Sequence, residues 1–163
     1  MIVVSLLGIF FGAVYETLIA GLRTVNAGND REALRQQLSN ALDRLTREAS
    51  AANNVDRAQD QRFQFDADLD GDGNDEDNIN YVVQNGGLDR EYSGDTVTLV
   101  KNVSSLDFDY IDQNGASYGT CDSTSSCGSN CCRSEVRVVQ ITITGTRGNE
   151  SMSVAGAAYL RDM

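Results

Sequence analysis

Histidine, proline and tryptophan are absent from this 163-residue chain. Without histidine it lacks the commonest general base, the commonest metal ligand and any c-type haem motif, so triad hydrolysis and zinc catalysis are disfavoured. Basic residues are scarce. Thirteen Lys+Arg against 24 Asp+Glu leave a net charge of −11, which repels phosphate backbones and argues against nucleic acid as a partner. The 40% hydrophobic content is too high for wholesale disorder, and the length suits one domain with an appendage.

The apolar residues are unevenly spread. No charged residue occurs from Met1 to Tyr15; Glu16 interrupts, and the apolar character resumes to Leu22. A bilayer core needs ~20 helical residues, so the charge-free run alone falls short of a span. No basic residue precedes it and no Ala-x-Ala site follows, so it does not read as a signal peptide. Its composition favours a membrane-inserted or bundle-buried helix, lacking its first few residues, over an ordinary core helix. Further on, Leu34, Leu38, Leu42, Leu45 and Ala49 form a narrow apolar stripe, widened by Ala33, Ala41 and Ala52, on a helix otherwise coated with charge. Gly21, Gly28, Asn29 and Asp30 are weak points within it. The pattern predicts one helix over roughly the first 52 residues, roughly 75 Å long at ~1.5 Å per residue, half of which must project.

After Asn53-Asn54 the period changes to two. Residues 62–65, 79–83, 96–100, 106–111, 136–144 and 152–160 read as strands. Phe63 and Phe65, then Leu106, Phe108 and Tyr110, alternate as half-buried strands do. Asn85-Gly86-Gly87, Asn114-Gly115 and the 145–148 segment from Gly145 to Gly148 supply turns. The expected fold is α+β: a long N-terminal helix with a protruding hydrophobic half, packed against an antiparallel β-sheet head. Residues 1–28 would be a transmembrane or filament-core helix, 29–53 its amphipathic continuation, and 54–163 the head.

The opening segment, Met1 to Phe10, resembles the hydrophobic N-terminal segment of type IV pilins and type II secretion pseudopilins. In that family the mature chain begins with an aromatic residue and carries a glutamate at its fifth position. The resemblance implies that this sequence starts just after that glutamate, and Glu16 lies too far along to take its role. In the head, the acidic Gly-containing loop from Phe65, the strand with Tyr81, and the turn leading to Leu88 and Arg90 are similar to J-type minor pseudopilins and W-type minor pilins. So are Leu106–Gly115, residues 138–144 and Tyr159–Arg161. The resemblance implies a pilin-like fold and other pilin or pseudopilin subunits as partners. It also implies a single-pass bacterial inner-membrane protein with a periplasmic head that passes into a periplasmic or extracellular filament.

Such a protein assembles rather than catalyses, and no enzyme activity is expected. Burial of the helix among related helices exchanges lipid contacts for helix contacts. Gly8 and Gly12 form a small-x-x-x-small pair that permits close helix approach. Glu16 suits either a salt bridge to a neighbouring subunit or the headgroup boundary.

Two loops carry further chemistry. From Asp66 to Asp77 there are seven carboxylates in twelve residues. Asp66, Asp68, Asp70 and Asp77 occupy positions 1, 3, 5 and 12 of an EF-hand-like loop, with Gly71 at the sixth and the Asp72 carbonyl as a further ligand. The spacing suits Ca²⁺ better than Mg²⁺, against the alternative of a solvated acidic turn. Cys121, Cys127, Cys131 and Cys132 lie in one Gly/Ser-rich stretch, an even count that suggests two disulfides in an oxidising compartment. Bridging the adjacent pair would strain the backbone, which favours Cys121 and Cys127 each bonding one of them. A thiolate zinc site lacks its usual two-residue spacings. Two functions stay open: a filament subunit polymerising through its N-terminal helix, or a membrane-tethered calcium-dependent head that does not polymerise.

Overall fold

The computed structural model describes residues 2–71, 73, 76–121 and 133–160, and of residues 2–9, 26, 76 and 77 the backbone alone. Helix α1 runs unbroken from Ile2 to Ser50, through four glycines and the Asn29-Asp30 pair. With no proline, every interior residue can donate its backbone hydrogen bond, and the glycine cost of ~1 kcal/mol each is spread over 49 residues. Along its second half Leu34, Leu38, Ala41, Leu45 and Ala49 are buried and Leu42 is half-buried. The first half makes no such contact: from Phe10 to Asn29 the described side chains are exposed except half-exposed Ile19.

The head contains two antiparallel sheets rather than one. Strands β1 (Ala52–Gln59), β2 (Arg62–Ala67), β3 (Glu76–Gln84), β4 (Gly87–Tyr92) and β5 (Asp95–Lys101) pair in chain order. Strands β6 (Val103–Asp112), β7 (Ser117–Tyr118), β8 (Val136–Arg147) and β9 (Glu150–Tyr159) pair as β7-β6-β8-β9. The chain changes sheet at Asn102, whose φ of 59° is a turn conformation that asparagine tolerates.

Strands β1, β4 and the two-residue β7 have no counterpart among the strand segments read from the sequence; β7 is too short to show a period, and the other two each have a reason. In β1 two register shifts, at Ala52/Asn54 and Val55/Arg57, put its buried residues Ala52, Val55 and Ala58 three apart, erasing the two-residue alternation. In β4 four consecutive residues, Gly87, Leu88, Asp89 and Arg90, are buried, so neither face reads as polar. Gly145 was expected in a turn but lies inside β8; the turn is at Gly148 and Asn149. A Cβ on Gly145 would meet Leu34 Cδ1 at 3.1 Å and Leu38 Cδ2 at 3.2 Å, so glycine there lets the helix approach the sheet.

Phe63 joins the sheets: its ring lies 4.9 Å from Phe65, 5.7 Å from Phe108 and 5.9 Å from Tyr110, centroid to centroid. The helix is pinned by a buried polar network as well as by leucines. Glu48 Oε2 accepts from Arg90 Nε at 2.7 Å and from the Tyr81 hydroxyl at 2.8 Å. Its Oε1 accepts from Arg44 Nε at 2.9 Å. Burial alone would raise the Glu48 carboxyl, but hydrogen bonds from Arg44, Arg90 and Tyr81 outweigh it and hold the group below the usual carboxylate range. Burial, and then the Glu48 charge, push the Tyr81 hydroxyl far up. Where the helix leaves the head, Arg147 Nε meets Asp30 Oδ1 at 2.8 Å, an exposed pair worth little by itself.

Candidate functional site

The projecting half of α1 carries seven large apolar side chains at least half exposed: Phe10, Phe11, Val14, Tyr15, Leu18, Leu22 and Val25. Scattered exposed leucines are ordinary, whereas a contiguous patch of this kind marks an interaction surface. Five of them, Phe11, Tyr15, Leu18, Leu22 and Val25, are spaced four, three, four and three, the period of a helix-packing seam. At ~100° per residue this seam lies about 150° around the helix from the stripe Leu34, Leu38, Ala41 and Leu45 that docks on the head. The bulky face therefore points away from the head. The opposite face carries Ala13, Ala20 and Ala27 together with Glu16 and Arg23, all exposed.

Two threonines in this half return their hydroxyls to the helix. Thr17 Oγ1 donates to Ala13 O at 2.6 Å and Thr24 Oγ1 to Ala20 O at 3.0 Å. Their polar groups are met without water, as burial among other helices or in lipid would require. Gly12 faces open space, with no atom within 4 Å of where a Cβ would stand; Gly8 is helical, in the stretch described by backbone alone. Glu16 contacts no head residue among the described ion pairs. Among the described residues no helix is long and apolar enough to cross a membrane.

In the acidic segment, Asp66 is the penultimate residue of β2 and Asp68 begins the loop. Asp66 Oδ1 accepts the Asn78 N–H at 2.8 Å, and its Oδ2 accepts from Asn54 Nδ2 at 3.0 Å. Asp68 Oδ1 and Oδ2 accept the N–H groups of Gly71 and Gly73 at 2.7 and 3.1 Å. Both glycines have positive φ, 79° and 87°, which folds the chain back over Asp68. The sequence reading missed Asp56. It shares Asn54 Nδ2 with Asp66, at 3.1 Å, and burial together with the neighbouring Asp66 charge pushes its carboxyl up. Asp70 lies in the loop, exposed; Asp72 and the side chain of Asp77 fall outside the described residues. Among the described residues no three His, Cys, Asp or Glu side chains converge to hold a metal ion.

Cys121 is buried and disulfide-bonded, and its N–H donates to Ala58 O at 2.7 Å. Cys127, Cys131 and Cys132 lie outside the described residues. The Cys121 end of the disulfide therefore lies beside β1. No protein-family model matches this chain, and neither does any curated protein.

Glu48 is the other residue the sequence reading passed over, as one more charge on a polar helix surface. Its position was the available signal: it follows Leu45 by three and precedes Ala49, inside the buried stripe. Its partners, 33 and 42 residues away, carry no local mark.

Proposed function

We propose that this protein is a structural subunit of a type IV pilus-like or type II secretion pseudopilus filament, assembling through the projecting half of α1. One observation carries the reading: the seam from Phe11 to Val25 is exposed, apolar and directed away from the head. Burying seven such side chains is worth roughly 10 kcal/mol or more at ~1.5–3 each, enough to offset an association cost of ~4–15 kcal/mol when several neighbours share the contact. A helix bare along one half and held to its head along the other leaves the heads outside and the bulky faces inside. On this reading the subunit waits in the bacterial inner membrane with its head in the periplasm, and its partners are like or related pilin subunits.

Deletion of residues 1–22 tests it. The expected result is a soluble, monomeric head, while the full-length chain in its native host is recovered in sheared filaments visible by electron microscopy. A truncated protein that still polymerised would overturn the reading. The competing function is a tethered calcium-dependent head that never polymerises, and a full-length chain confined to the membrane fraction would favour it.

Calcium at the acidic loop belongs to the same proposal. The support is local: Asp56 and Asp66 crowd each other, and Gly71 and Gly73 fold the chain over Asp68. A cation bound only in the folded state raises stability by mass action, and sites of this kind bind at ~10⁻⁴–10⁻³ M. In ~10 mM calcium, some 10–100 times that range, the gain is ~1.4–2.7 kcal/mol. The unfolding midpoint of the unmodified chain is expected to rise by several degrees over that in chelator, and that of Asp70→Ala to stay put. Equal midpoints for the unmodified chain with and without calcium would leave the segment an acidic turn.

A further inference from the structure

A second site lies at the end of the five-stranded sheet, where the Asn85-Gly86 turn meets the corner at Asn102. A groove of about 260 Å³ opens there, lined by Asn85, Gly87, Asp89, Thr98, Lys101 and Asn102. Asp89, on β4, is only 8% exposed, and its Oδ1 is fully buried without a hydrogen-bond partner. An unmet carboxylate oxygen is among the costliest groups to bury. The local backbone places it. Pairing passes from Leu88↔Val100 to Asp89↔Thr98, so Leu99 is an extra residue that bulges β5 beside Asp89. Gly87 lets β5 and Asp89 pack close at the groove wall: a Cβ there would stand 3.0 Å from Thr98 Cγ2, 3.3 Å from Val100 O and 3.5 Å from Asp89 Oδ1. Lys101, exposed at the rim, forms no ion pair among the described residues.

We propose that this groove binds a small zwitterion of the α-amino acid class, with its ammonium on Asp89 and its carboxylate on Lys101. An ammonium ligand alone would meet Asp89 but sit beside a like charge on Lys101; an anion alone would meet Lys101 but sit beside Asp89. A zwitterion satisfies both, and Asn85, Asn102 and Thr98 supply neutral donors and acceptors around it. One water, at ~30 Å³, fills a small part of the groove, while drug-sized ligands occupy pockets of ~300 Å³ and above. The site does not depend on the assembly reading.

The test is calorimetric titration of the full-length chain in detergent micelles with glycine. Saturable binding in the millimolar range is expected. Methylamine and acetate, each carrying one of the two charges, should bind at least tenfold more weakly. Asp89→Asn and Lys101→Gln should each weaken glycine at least tenfold. Lys101 is exposed, so that variant keeps the fold and remains decisive if Asp89→Asn does not. Absence of saturable glycine binding, methylamine binding as tight as glycine, or indifference to Lys101→Gln would overturn the proposal.

Discussion

Replacing Glu48 by alanine is expected to lower the unfolding midpoint of the protein by roughly 6–20 °C. The substitution leaves the Arg90 guanidinium, 10% exposed at its side chain, without its carboxylate, and removes the acceptor of the Tyr81 hydroxyl. Breaking a buried pair from one side costs ~3–5 kcal/mol, because the surviving charge stays buried, and each kcal/mol is worth ~2–4 °C or more in a chain of this size. Glu48→Gln keeps the shape and one acceptor and should cost less, ~1.5–3 kcal/mol. Pairing Glu48→Ala with Arg90→Met removes both charges and should recover much of the loss. The same network gives a pH dependence of definite sign. The Glu48 carboxyl is held below its ordinary value in the folded state, so its contribution is complete above the unfolded-state value of ~4.3 and fades as pH falls through the lower folded value. Acid unfolding should therefore begin at lower acidity in the unmodified chain than in Glu48→Gln relative to each protein's own neutral-pH stability. Thermal melts from pH 7 to pH 2 measure both effects. A loss under 1 kcal/mol in Glu48→Ala would show that the leucine stripe alone holds the helix.

On the proposed assembly, paired substitution of Leu18→Asp and Leu22→Asp is expected to abolish filament formation and leave the head's melting unchanged. Both leucines are more than half exposed and lie on the seam facing away from the head, so the folded head loses no contact. In the assembled state each loses ~1.5–3 kcal/mol of burial and must place a carboxylate among apolar side chains, at a further ~2.5–3.5 kcal/mol on a membrane-insertion scale. The sum, roughly 8–13 kcal/mol for the pair, exceeds five powers of ten in an association constant at ~1.4 kcal/mol per tenfold. Ala20→Asp, on the opposite face, is the informative control and should be milder if the seam is the principal contact. Sedimentation of sheared filaments and electron microscopy report the outcome. Normal filament yield from the Leu18→Asp, Leu22→Asp chain would show that the seam is not the assembly surface.

Much of this molecule follows from residue order alone. Leu34, Leu38, Leu45 and Ala49 announce a docked helix, and the apolar run reaching Leu22 announces a helical half outside that stripe, whose described large apolar side chains stay exposed, because helical periodicity acts locally. Alternation in Phe63/Phe65 and Leu106/Phe108/Tyr110 likewise reveals strands whose one face is buried. Tertiary structure decided the rest. Bulges in β1 and burial of both faces of β4 erase the alternation by which strands are read, so these strands exist only through their partners. Gly145 looks like a turn residue until the leucines of α1 press against it. Glu48 is one more helix charge until Tyr81 and Arg90 arrive from distant strands, and Asp89 is an ordinary strand residue until the bulge at Leu99 closes around it. Local patterns record which side of an element avoids water; which distant group meets it is fixed only when the chain closes on itself.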